Sequence, residues 1–396
     1  MTYRPARRLA DIEPFHVVEL LTRARQLESE GRDIIHMEVG EPDFPTPEPI
    51  TKAAVAAIQG GKTLYTQALG LPELRTAISD FYRERYGVAV AASRIAITNG
   101  ASGALNLAFA ALANPGDEWL LADPGYPCNR HILRTYEGCP ISMPVGPDSN
   151  FQPTPAMLRQ YWNEKTAGLL VASPANPTGT LLTLSEIEAL AAACRDKQGH
   201  FMVDEIYHGL TYAPQEVPLG DEISAPTACA AGDDIWVINS FSKYFQMTGW
   251  RLGWMVIPEA YVRDVEKLAQ NLVLCPSTPA QHAALAAFAP DTIAILEARR
   301  AEFRRRRDFL APALEQIGFR VTARPEGAFY LYCDCSDLAN DSFKLARDLL
   351  EKAGVAATPG LDFGSNGPEK HIRFAYTTDV PRLAEAVERL GRYFGR

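Results

Sequence analysis

A single lysine stands among hydroxyl and aromatic residues, and an arginine follows it eight positions later. The stretch reads SFSKYFQMTGWRLGW from Ser240 to Trp254, and its two cations are Lys243 and Arg251. A solvated charged surface would carry more charges and fewer tryptophans, so we expect both cations to be partly buried. A partly buried cation needs an anionic partner or a chemical role, which makes this stretch the first candidate for a functional site.

Three other segments place polar residues or glycines directly after a predicted strand. They are NGASGA at 99–104, SPANPTG at 173–179 and DEIY at 204–207. Ligands of open α/β sheets bind beyond the carboxyl ends of the strands, so we expect the segments to meet there. Glycines at a strand-to-helix turn expose backbone N–H groups that can receive a phosphate. Taken alone, they are also consistent with tight packing, and an ordinary loop is the simpler interpretation of 173–179.

One cofactor, pyridoxal phosphate, can use all of these segments. It needs a lysine amine for its aldehyde, a carboxylate for its pyridine nitrogen, donors for its ring oxygen and a cradle for its phosphate. Asp204 fits such a pairing, because an acidic residue that ends a buried strand is costly unless a positive group meets it. Two rival roles lack support: neither GxxxxGK[ST] nor a GxGxxG that opens a helix at the first strand occurs.

Strand-like and helix-like segments alternate through the middle of the chain. Strands are predicted at 95–98, 119–122, 168–172, 201–204 and 235–239, and helices at 17–30, 51–59, 72–86, from 102, and at 185–195. Strands separated by helices imply right-handed crossovers and a mostly parallel sheet. Apolar residues on both faces of these strands imply burial between helix layers. The fold class predicted for this part is therefore α/β.

The C-terminal part has a different, α+β character. Helices are predicted at 291–317, 342–353 and 382–393, and strands within 319–335, at 354–357 and at 372–376. The N-terminal segment, with a short strand at 34–39, is expected to pack with this part. We predict a large α/β domain over residues 46–285 and a small α+β domain over 1–45 and 286–396.

Composition excludes several classes of function. The net charge of −9 argues against a nucleic-acid partner. The one basic run, at 304–307, is interpreted as the solvated face of a helix. Seven scattered cysteines favour a reducing compartment, and neither they nor the seven histidines show metal-ligand spacing. The longest apolar run, 104–113, is too short to span a bilayer, and the N-terminus lacks a signal-peptide core. We expect a cytoplasmic protein with no metal and no membrane contact.

A series of motifs follows the chain in order. They are GEPDF at 40–44, YTQALGLPELR at 65–75, NGASGAL at 99–105, SPANPTG at 173–179, DEIY at 204–207, SFSKYFQMTGWRLGW at 240–254, PEGAFY at 325–330 and HIRFAY at 371–376. With them the chain, from about Phe15 to its end, resembles the class I/II pyridoxal-phosphate aminotransferases. The resemblance implies the fold type I of pyridoxal-phosphate-dependent transferases. That fold has a large domain and a smaller α+β domain. In the large domain, a mostly parallel sheet of the seven-stranded type lies between helices.

The resemblance also implies roles around the cofactor. Lys243 would bind it covalently and, once released, move a proton at the substrate Cα. Asp204 would pair with the pyridine nitrogen, while Tyr207 and Asn176 would hydrogen-bond the ring oxygen. Tyr126 would stack on the ring. The phosphate would be held by Ser102, Ser240, Ser242, Arg251 and the backbone amides near Ala101 and Gly103.

Further implied roles concern the substrate and a second subunit. Arg373 would bind the substrate α-carboxylate through its two-pronged guanidinium, and Gly40 would bring backbone close to that carboxylate. The residue that matches Tyr65 reaches the phosphate from a neighbouring subunit in this family. The resemblance therefore implies a homodimer with shared sites.

The second cation of dicarboxylate-specific relatives is missing from its usual positions. One bacterial branch has a lysine where this chain has Ser102, and another has an arginine near 272–274, where this chain has Leu-Val-Leu. A carboxylate buried without a partner is penalised, so we expect a neutral or aromatic donor, alanine among them, rather than aspartate. Arg4, Arg7 or Arg8 could still supply the missing charge.

The resemblance implies a ping-pong transfer of the amino group to 2-oxoglutarate or pyruvate. Two alternatives stay open at this point. A carbon–sulfur lyase or another α,β-eliminating enzyme would use the same motifs. An effector domain of a transcription regulator would carry a winged-helix domain ahead of this fold, and we expect none because the resemblance begins by about residue 15.

Overall fold

A seven-stranded sheet carries the polar segments singled out above. The structure, a computed structural model, describes residues 4–212, 225–323 and 325–396. Its helices are α1 (His16–Ser29), α2 (Glu48–Gln59), α3 (Pro72–Tyr86), α4 (Gly100–Leu112), α5 (Pro127–Thr135), α6 (Pro155–Tyr161), α7 (Leu184–Asp196), α8 (Val262–Leu272), α9 (Thr278–Leu285), α10 (Pro290–Ile317), α11 (Ser342–Asp348) and α12 (Val380–Phe394).

The strands fall into three sheets. They are β1 (Ile35–His36), β2 (Ile95–Thr98), β3 (Glu118–Asp123), β4 (Cys139–Pro144), β5 (Thr166–Ala172), β6 (His200–Asp204), β7 (Trp236–Ser240), β8 (Gly253–Val256), β9 (Arg320–Val321), β10 (Tyr330–Asp334), β11 (Val355–Ala356), β12 (Thr358–Pro359) and β13 (His371–Ala375).

The large sheet has the order β2-β8-β7-β6-β5-β3-β4. The pairs β3–β4, β3–β5, β5–β6 and β6–β7 are parallel. Strand β8 runs antiparallel to both β2 and β7. The predicted α/β architecture with a mostly parallel sheet is confirmed. Strand β8 was not predicted, because it directly follows the Lys243 stretch and no helix separates it from β7. Strands that are connected without a crossover helix are antiparallel.

The edge strand β4 also escaped prediction. Its sequence, CPISMP, begins and ends near prolines, and proline cannot donate to a strand ladder. Such residues are tolerated at a sheet edge, where β4 pairs on one side with β3. Local propensity therefore favours a loop here, and only the sheet makes the segment a strand.

Alternate residues of the central strands face two apolar layers. Leu169 and Val171 of β5 pack in one cluster with Ile187 of α7. Leu170, between them, packs in the other cluster with Leu105 of α4. Helices therefore cover both faces of the sheet, and the polar strand ends are left as the places where a ligand can reach it.

The two smaller sheets join the ends of the chain. Strands β12-β13-β10-β9 form an antiparallel sheet, and β1 pairs with β11 in parallel. The N-terminal segment thus packs against the C-terminal part. Within the described ranges, no helix is both long and apolar enough to cross a bilayer.

The basic run on α10 is not a solvated face, and that interpretation is wrong. Arg304, Arg306 and Arg307 are buried, and only Arg305 of the run is exposed. The Arg306 guanidinium donates to both carboxylate oxygens of Asp43, at 2.7 and 3.0 Å. Long cationic side chains can be buried when their guanidinium groups find anions and aromatic faces, so α10 holds the GEPDF segment rather than facing water.

Candidate active site

One cavity of about 350 Å³ collects nearly all of the predicted site residues. It lies at the carboxyl ends of the central strands and is closed by residues of α1, β10, β12 and β13. Its lining includes Gly40, Ala101, Ser102, Tyr126, Asn176, Asp204, Tyr207, Ser240, Ser242, Lys243, Arg251 and Arg373.

Two predicted residues do not line this cavity. Gly103 lies one residue beyond Ser102 in the first turn of α4, and Tyr65 is 81% exposed on the surface of this chain. Tyr126 does line it and remains 37% exposed.

Lys243 lies in the connection that follows β7, and its amine points to backbone. Nζ donates a hydrogen bond to the carbonyl oxygen of Gly40 at 2.5 Å. Burial, together with the charges of Arg373 and Arg251, lowers the pKa of Lys243 to about 8, although Glu41 and Asp204 partly offset the shift. A lysine with such a pKa has a substantial neutral fraction near pH 8, and a neutral amine can act as a nucleophile or a base.

Asp204 ends β6 and is buried. Burial raises the pKa of its carboxyl group to about 6, and the shift is limited by the Ile206 N–H, which donates to Oδ1 at 3.0 Å, and by the charge of Lys243. In the sheet it stands opposite Ala172 of β5 and Ile238 of β7. A buried carboxyl group in this position gains most from a cationic ligand group.

Arg373 on β13 is buried and is held from several sides. Nη1 donates to Oδ1 of Asn176 at 2.9 Å, and Nη2 donates to the carbonyl oxygen of Glu38 at 2.6 Å. The guanidinium carbon lies 4.2 Å from the ring centre of Tyr330 and 4.9 Å from that of Phe363. Its Nε is buried without a hydrogen-bond partner. A guanidinium fixed in this way can present donors to a carboxylate.

The start of α4 and the Lys243 stretch form an end of the cavity suited to an anion. Gly100 has φ +70°, and a Cβ there would lie 2.6 Å from Nη2 of Arg251. Arg251 itself is left-handed, with φ 53°, a conformation that is costly for a non-glycine residue. The Ser242 N–H donates to Oγ of Ser240 at 3.0 Å. Hydroxyls, a guanidinium and helix-start amides converge here.

An apolar wall was missed by the sequence reasoning. Phe15 and three residues of the first turns of α1, namely Val17, Val18 and Leu21, line the cavity. The helix start is fixed by Asp362, whose carboxylate oxygens accept from the N–H groups of His16 and Val17 at 2.8 Å each. The amphipathic pattern of 17–30 predicts a helix with an apolar face, but it does not say which cavity that face covers.

Tyr330 was also missed as a site residue, although it lies within the PEGAFY motif. It is 1% exposed, lines the cavity, and its hydroxyl lies 2.9 Å from the Tyr207 hydroxyl. Its position within the PEGAFY motif could have identified it, but an ordinary core tyrosine on β10 would show the same sequence pattern.

The cations that line the cavity within the described residues are Lys243, Arg251 and Arg373. Arg4, Arg7 and Arg8 are exposed and outside its lining, and Arg8 donates to the backbone oxygen of Thr135 at 2.6 Å. Leu272 and Leu274, which stand near the position where one branch of relatives has an arginine, are also exposed.

Three comparisons relate the chain to known proteins. The family model described as aminotransferase class I and II matches residues 32–390. Valine–pyruvate aminotransferase of Mycobacterium tuberculosis is 38% identical, covering 99% of this chain and 99% of its own. Aspartate/prephenate aminotransferase of Thermus thermophilus is 34% identical, with 99% of each chain covered.

The fold agrees with the sequence relationship. The crystal structure of an aminotransferase from Mycobacterium tuberculosis matches with a TM-score of 0.94 at 37% identity, covering 100% of both chains. The match spans both the large sheet and the smaller sheets, so it concerns the whole cavity between them. The chain belongs to the aminotransferase class I and II family and is an aminotransferase.

Proposed function

We propose that this cavity binds pyridoxal 5'-phosphate and moves the α-amino group of a neutral L-amino acid to a 2-oxo acid. The observation that carries the proposal is the placement of Lys243, Asp204 and Arg373 around one cavity. They offer, respectively, an amine with lowered pKa, a buried carboxyl group and a fixed guanidinium.

The residues present fit this cofactor. Its phosphate would be held by Arg251, Ser240, Ser242, Ser102 and the amides of Ala101 and Gly103, at the end where a side chain at Gly100 would meet Arg251. Its ring nitrogen would face Asp204, whose buried carboxyl group awaits a cationic partner. When bound, pyridoxal phosphate supplies an aldehyde for amine exchange and an electron sink that stabilises negative charge at the substrate Cα.

The protein groups have separate tasks in this proposal. Arg373 binds the α-carboxylate and orients the substrate, and Asn176, already bonded to it, limits its movement. Lys243 removes the proton from the substrate Cα and later gives it back. A pKa of about 8 allows its amine to act as a base near neutral pH. Tyr207 donates to the ring oxygen, and Tyr126 covers the ring. The buried walls exclude water from the carbanion-like centre.

A neutral substrate side chain fits the remaining part of the cavity. Its wall there is formed by Phe15, Val17, Val18 and Leu21, and its cations all have other tasks. A second carboxylate would be desolvated without a partner, at a cost of several kcal/mol. Both half-reactions use the same cavity, so the second carboxylate of 2-oxoglutarate would also lack a partner, and pyruvate is favoured as the acceptor.

The relatives support the reaction but differ in donor, since one is named for valine and pyruvate and another for aspartate and prephenate. The test is absorbance of the purified protein with pyridoxal phosphate and single amino acids. We expect a visible band that bleaches with valine or alanine and returns with pyruvate. Pyruvate and ammonia released without an acceptor would indicate a lyase, and a band that never forms would contradict the proposed role of Lys243.

We further propose a homodimer that works in the cytoplasm. Leu64 and Tyr65 are 79% and 81% exposed, and Leu272 and Leu274 are more than half exposed, so that a second chain would have apolar side chains to bury here. All seven cysteines are free, as suits a reducing compartment. Light scattering of the purified protein should give twice the mass of one chain.

A further inference from the structure

Tyr330 touches two groups of the site that have different tasks. Its ring lies beneath the guanidinium of Arg373, at 4.2 Å from ring centre to guanidinium carbon. Its hydroxyl lies 2.9 Å from the hydroxyl of Tyr207. The side chain is 1% exposed, so it cannot turn away without repacking. One residue therefore joins the side of the cavity that receives the carboxylate to the side that receives the cofactor ring oxygen.

The Tyr330 hydroxyl also explains why residue 40 is a glycine. A Cβ at Gly40 would clash with the Tyr330 oxygen. The carbonyl oxygen of Gly40 accepts the hydrogen bond from Nζ of Lys243. The backbone that meets the lysine is thus pressed against the tyrosine, and only glycine lets it approach so closely.

Resting on the proposed function, we propose that Tyr330 is a positioning residue that orients Arg373 through its ring and Tyr207 through its hydroxyl. The ring face attracts the guanidinium, which lies near the rings of both Tyr330 and Phe363, and holds it in place. Either hydroxyl can be the donor of this hydrogen bond. When a ligand oxygen accepts the Tyr207 proton, the Tyr330 hydroxyl would donate to the Tyr207 oxygen, and that bond would make Tyr207 the stronger donor.

The environment keeps both phenols in the form that this requires. Burial raises the pKa of Tyr207 and of Tyr330 above the ordinary value, so both carry their protons throughout the working range of pH. Two protonated hydroxyls in contact share one proton between them and direct the other outward. The outward proton is directed into the cavity if Tyr330 is the donor.

The experiment separates the ring from the hydroxyl with three variants. Tyr330→Phe removes the hydroxyl and keeps the ring. Tyr330→Leu removes both. Phe363→Leu is the matched control, because it removes the other ring that lies against Arg373 and leaves the Tyr207 contact intact.

Two measurements are made on the cofactor-loaded proteins. The first is the pKa at which the visible absorbance band changes with pH, which reports on donors to the ring oxygen. The second is the Kd of isovalerate, which is valine without its amino group, measured by calorimetry. Neither depends on turnover.

We expect Tyr330→Phe to raise the absorbance pKa by about half a pH unit, the effect of one lost hydrogen bond, and to leave the Kd within about twofold of wild type. Phe363→Leu should weaken isovalerate binding about fivefold with little change in the absorbance pKa. Tyr330→Leu should change both quantities. If Tyr330→Leu does not fold, Tyr330→Met takes its place.

An unchanged absorbance pKa in Tyr330→Phe would overturn the role of the hydroxyl. An unchanged Kd in the variant that lacks the ring would overturn the role of the ring. Wild-type protein distinguishes these outcomes from a failure of the proposed function: if it forms no band with pyridoxal phosphate and does not bind isovalerate, the site assignment itself is wrong.

Discussion

At the scale of single residues, burial has opposite effects on the two central ionisable groups. It lowers the pKa of Lys243 to about 8 and raises that of Asp204 to about 6. Each shift disfavours the charged form, because a charge is poorly solvated in the cavity. The ligand-free cavity therefore favours a ligand that presents an aldehyde to the lysine and a cationic group to the aspartate.

The first prediction concerns the rate at which cofactor-free protein captures pyridoxal phosphate. The amine must be neutral to attack an aldehyde, so the rate should rise with pH and level off above about pH 8, the pKa of Lys243. An ordinary lysine would continue to gain rate until above about pH 10. Stopped-flow absorbance between pH 6 and pH 10 measures this, with Lys243→Ala as the control that forms no covalent band.

The second prediction concerns Asp204→Asn. Because the native pKa of Asp204 is raised, the folded protein binds this proton more tightly than the unfolded chain, and its ionisation costs stability as pH rises through about 6. The cofactor-free variant should therefore be more stable than wild type at pH 8, by up to roughly 2–3 kcal/mol, and the difference should shrink toward pH 5.

Urea unfolding at several pH values tests this prediction. The same variant should bind pyridoxal phosphate more weakly, because the partner of the ring nitrogen is gone. A variant that is destabilised at pH 8, or whose advantage does not depend on pH, would show that the Asp204 carboxyl group is not held in an unfavourable environment.

At the scale of elements, the connection between β7 and β8 and the segment 40–44 must be brought together for Lys243 to meet Gly40. The second of these is held by α10. Arg306 of α10 forms a two-pronged ion pair with Asp43, and its guanidinium lies 4.9 Å from the ring centre of Phe44. The helix therefore supports the site from behind, through residues that never reach the cavity.

The third prediction compares two neighbours on α10. Arg306→Met leaves Asp43 partly buried without its partner and should lower the free energy of unfolding by about 2–3 kcal/mol. Arg305→Met is the matched control: Arg305 is 65% exposed and pairs with Glu302 at the surface, so its loss should cost less than about 1 kcal/mol. Denaturant unfolding measures both, and equal losses would contradict the supporting role of Arg306.

At the scale of the whole molecule, we propose that the chain divides into a large domain, 46–285, and a small domain, 1–45 and 286–396, with the cavity between them. Residues 1–3, 213–224 and 324 of this division lie outside the described residues. Gly40, Tyr330 and Arg373 come from the small part of this division, and Asp204 and Lys243 from the large part. Tyr65 faces outward, so its proposed contact with phosphate requires a second chain.

The fourth prediction tests sites shared between subunits. If Tyr65 acts across the dimer, inactive Lys243→Ala chains mixed with impaired Tyr65→Ala chains should form hybrids with one intact site each. Random mixing makes half of the dimers hybrids, so about a quarter of the wild-type activity should return. Mixing without any gain over the separate variants would show that Tyr65 serves its own chain or no site.

The fifth prediction concerns substrate choice by the whole cavity. Valine or alanine should exceed aspartate in kcat/KM by about tenfold or more, since several kcal/mol of desolvation oppose a second carboxylate. Ser102→Lys, which places a cation where a dicarboxylate-specific branch has one, should raise kcat/KM for aspartate, whereas Ser102→Met should not. A wild-type preference for aspartate would contradict the assignment of the apolar wall.

The sequence by itself determined five of the seven strands of the large sheet and the residues at their ends. The predicted strand 95–98 agrees with β2 at both ends, and the predicted helix 72–86 agrees with α3, because each carries its own periodicity and turn residues. The motifs also identified most of the polar and charged residues that line the cavity, since local sequence places Asp204 at the end of one strand and Lys243 shortly after another, and these strand ends must meet.

Tertiary structure alone decided what depends on partners distant in sequence. The basic run of α10 has a pattern typical of a solvated face, and only its meeting with Asp43 shows that Arg306 is buried. Likewise, the apolar face of α1 and the ring of Tyr330 become parts of the site through packing. Periodicity predicts that a side chain will be buried. It does not predict which residues will cover that side chain, because burial energy is not directional.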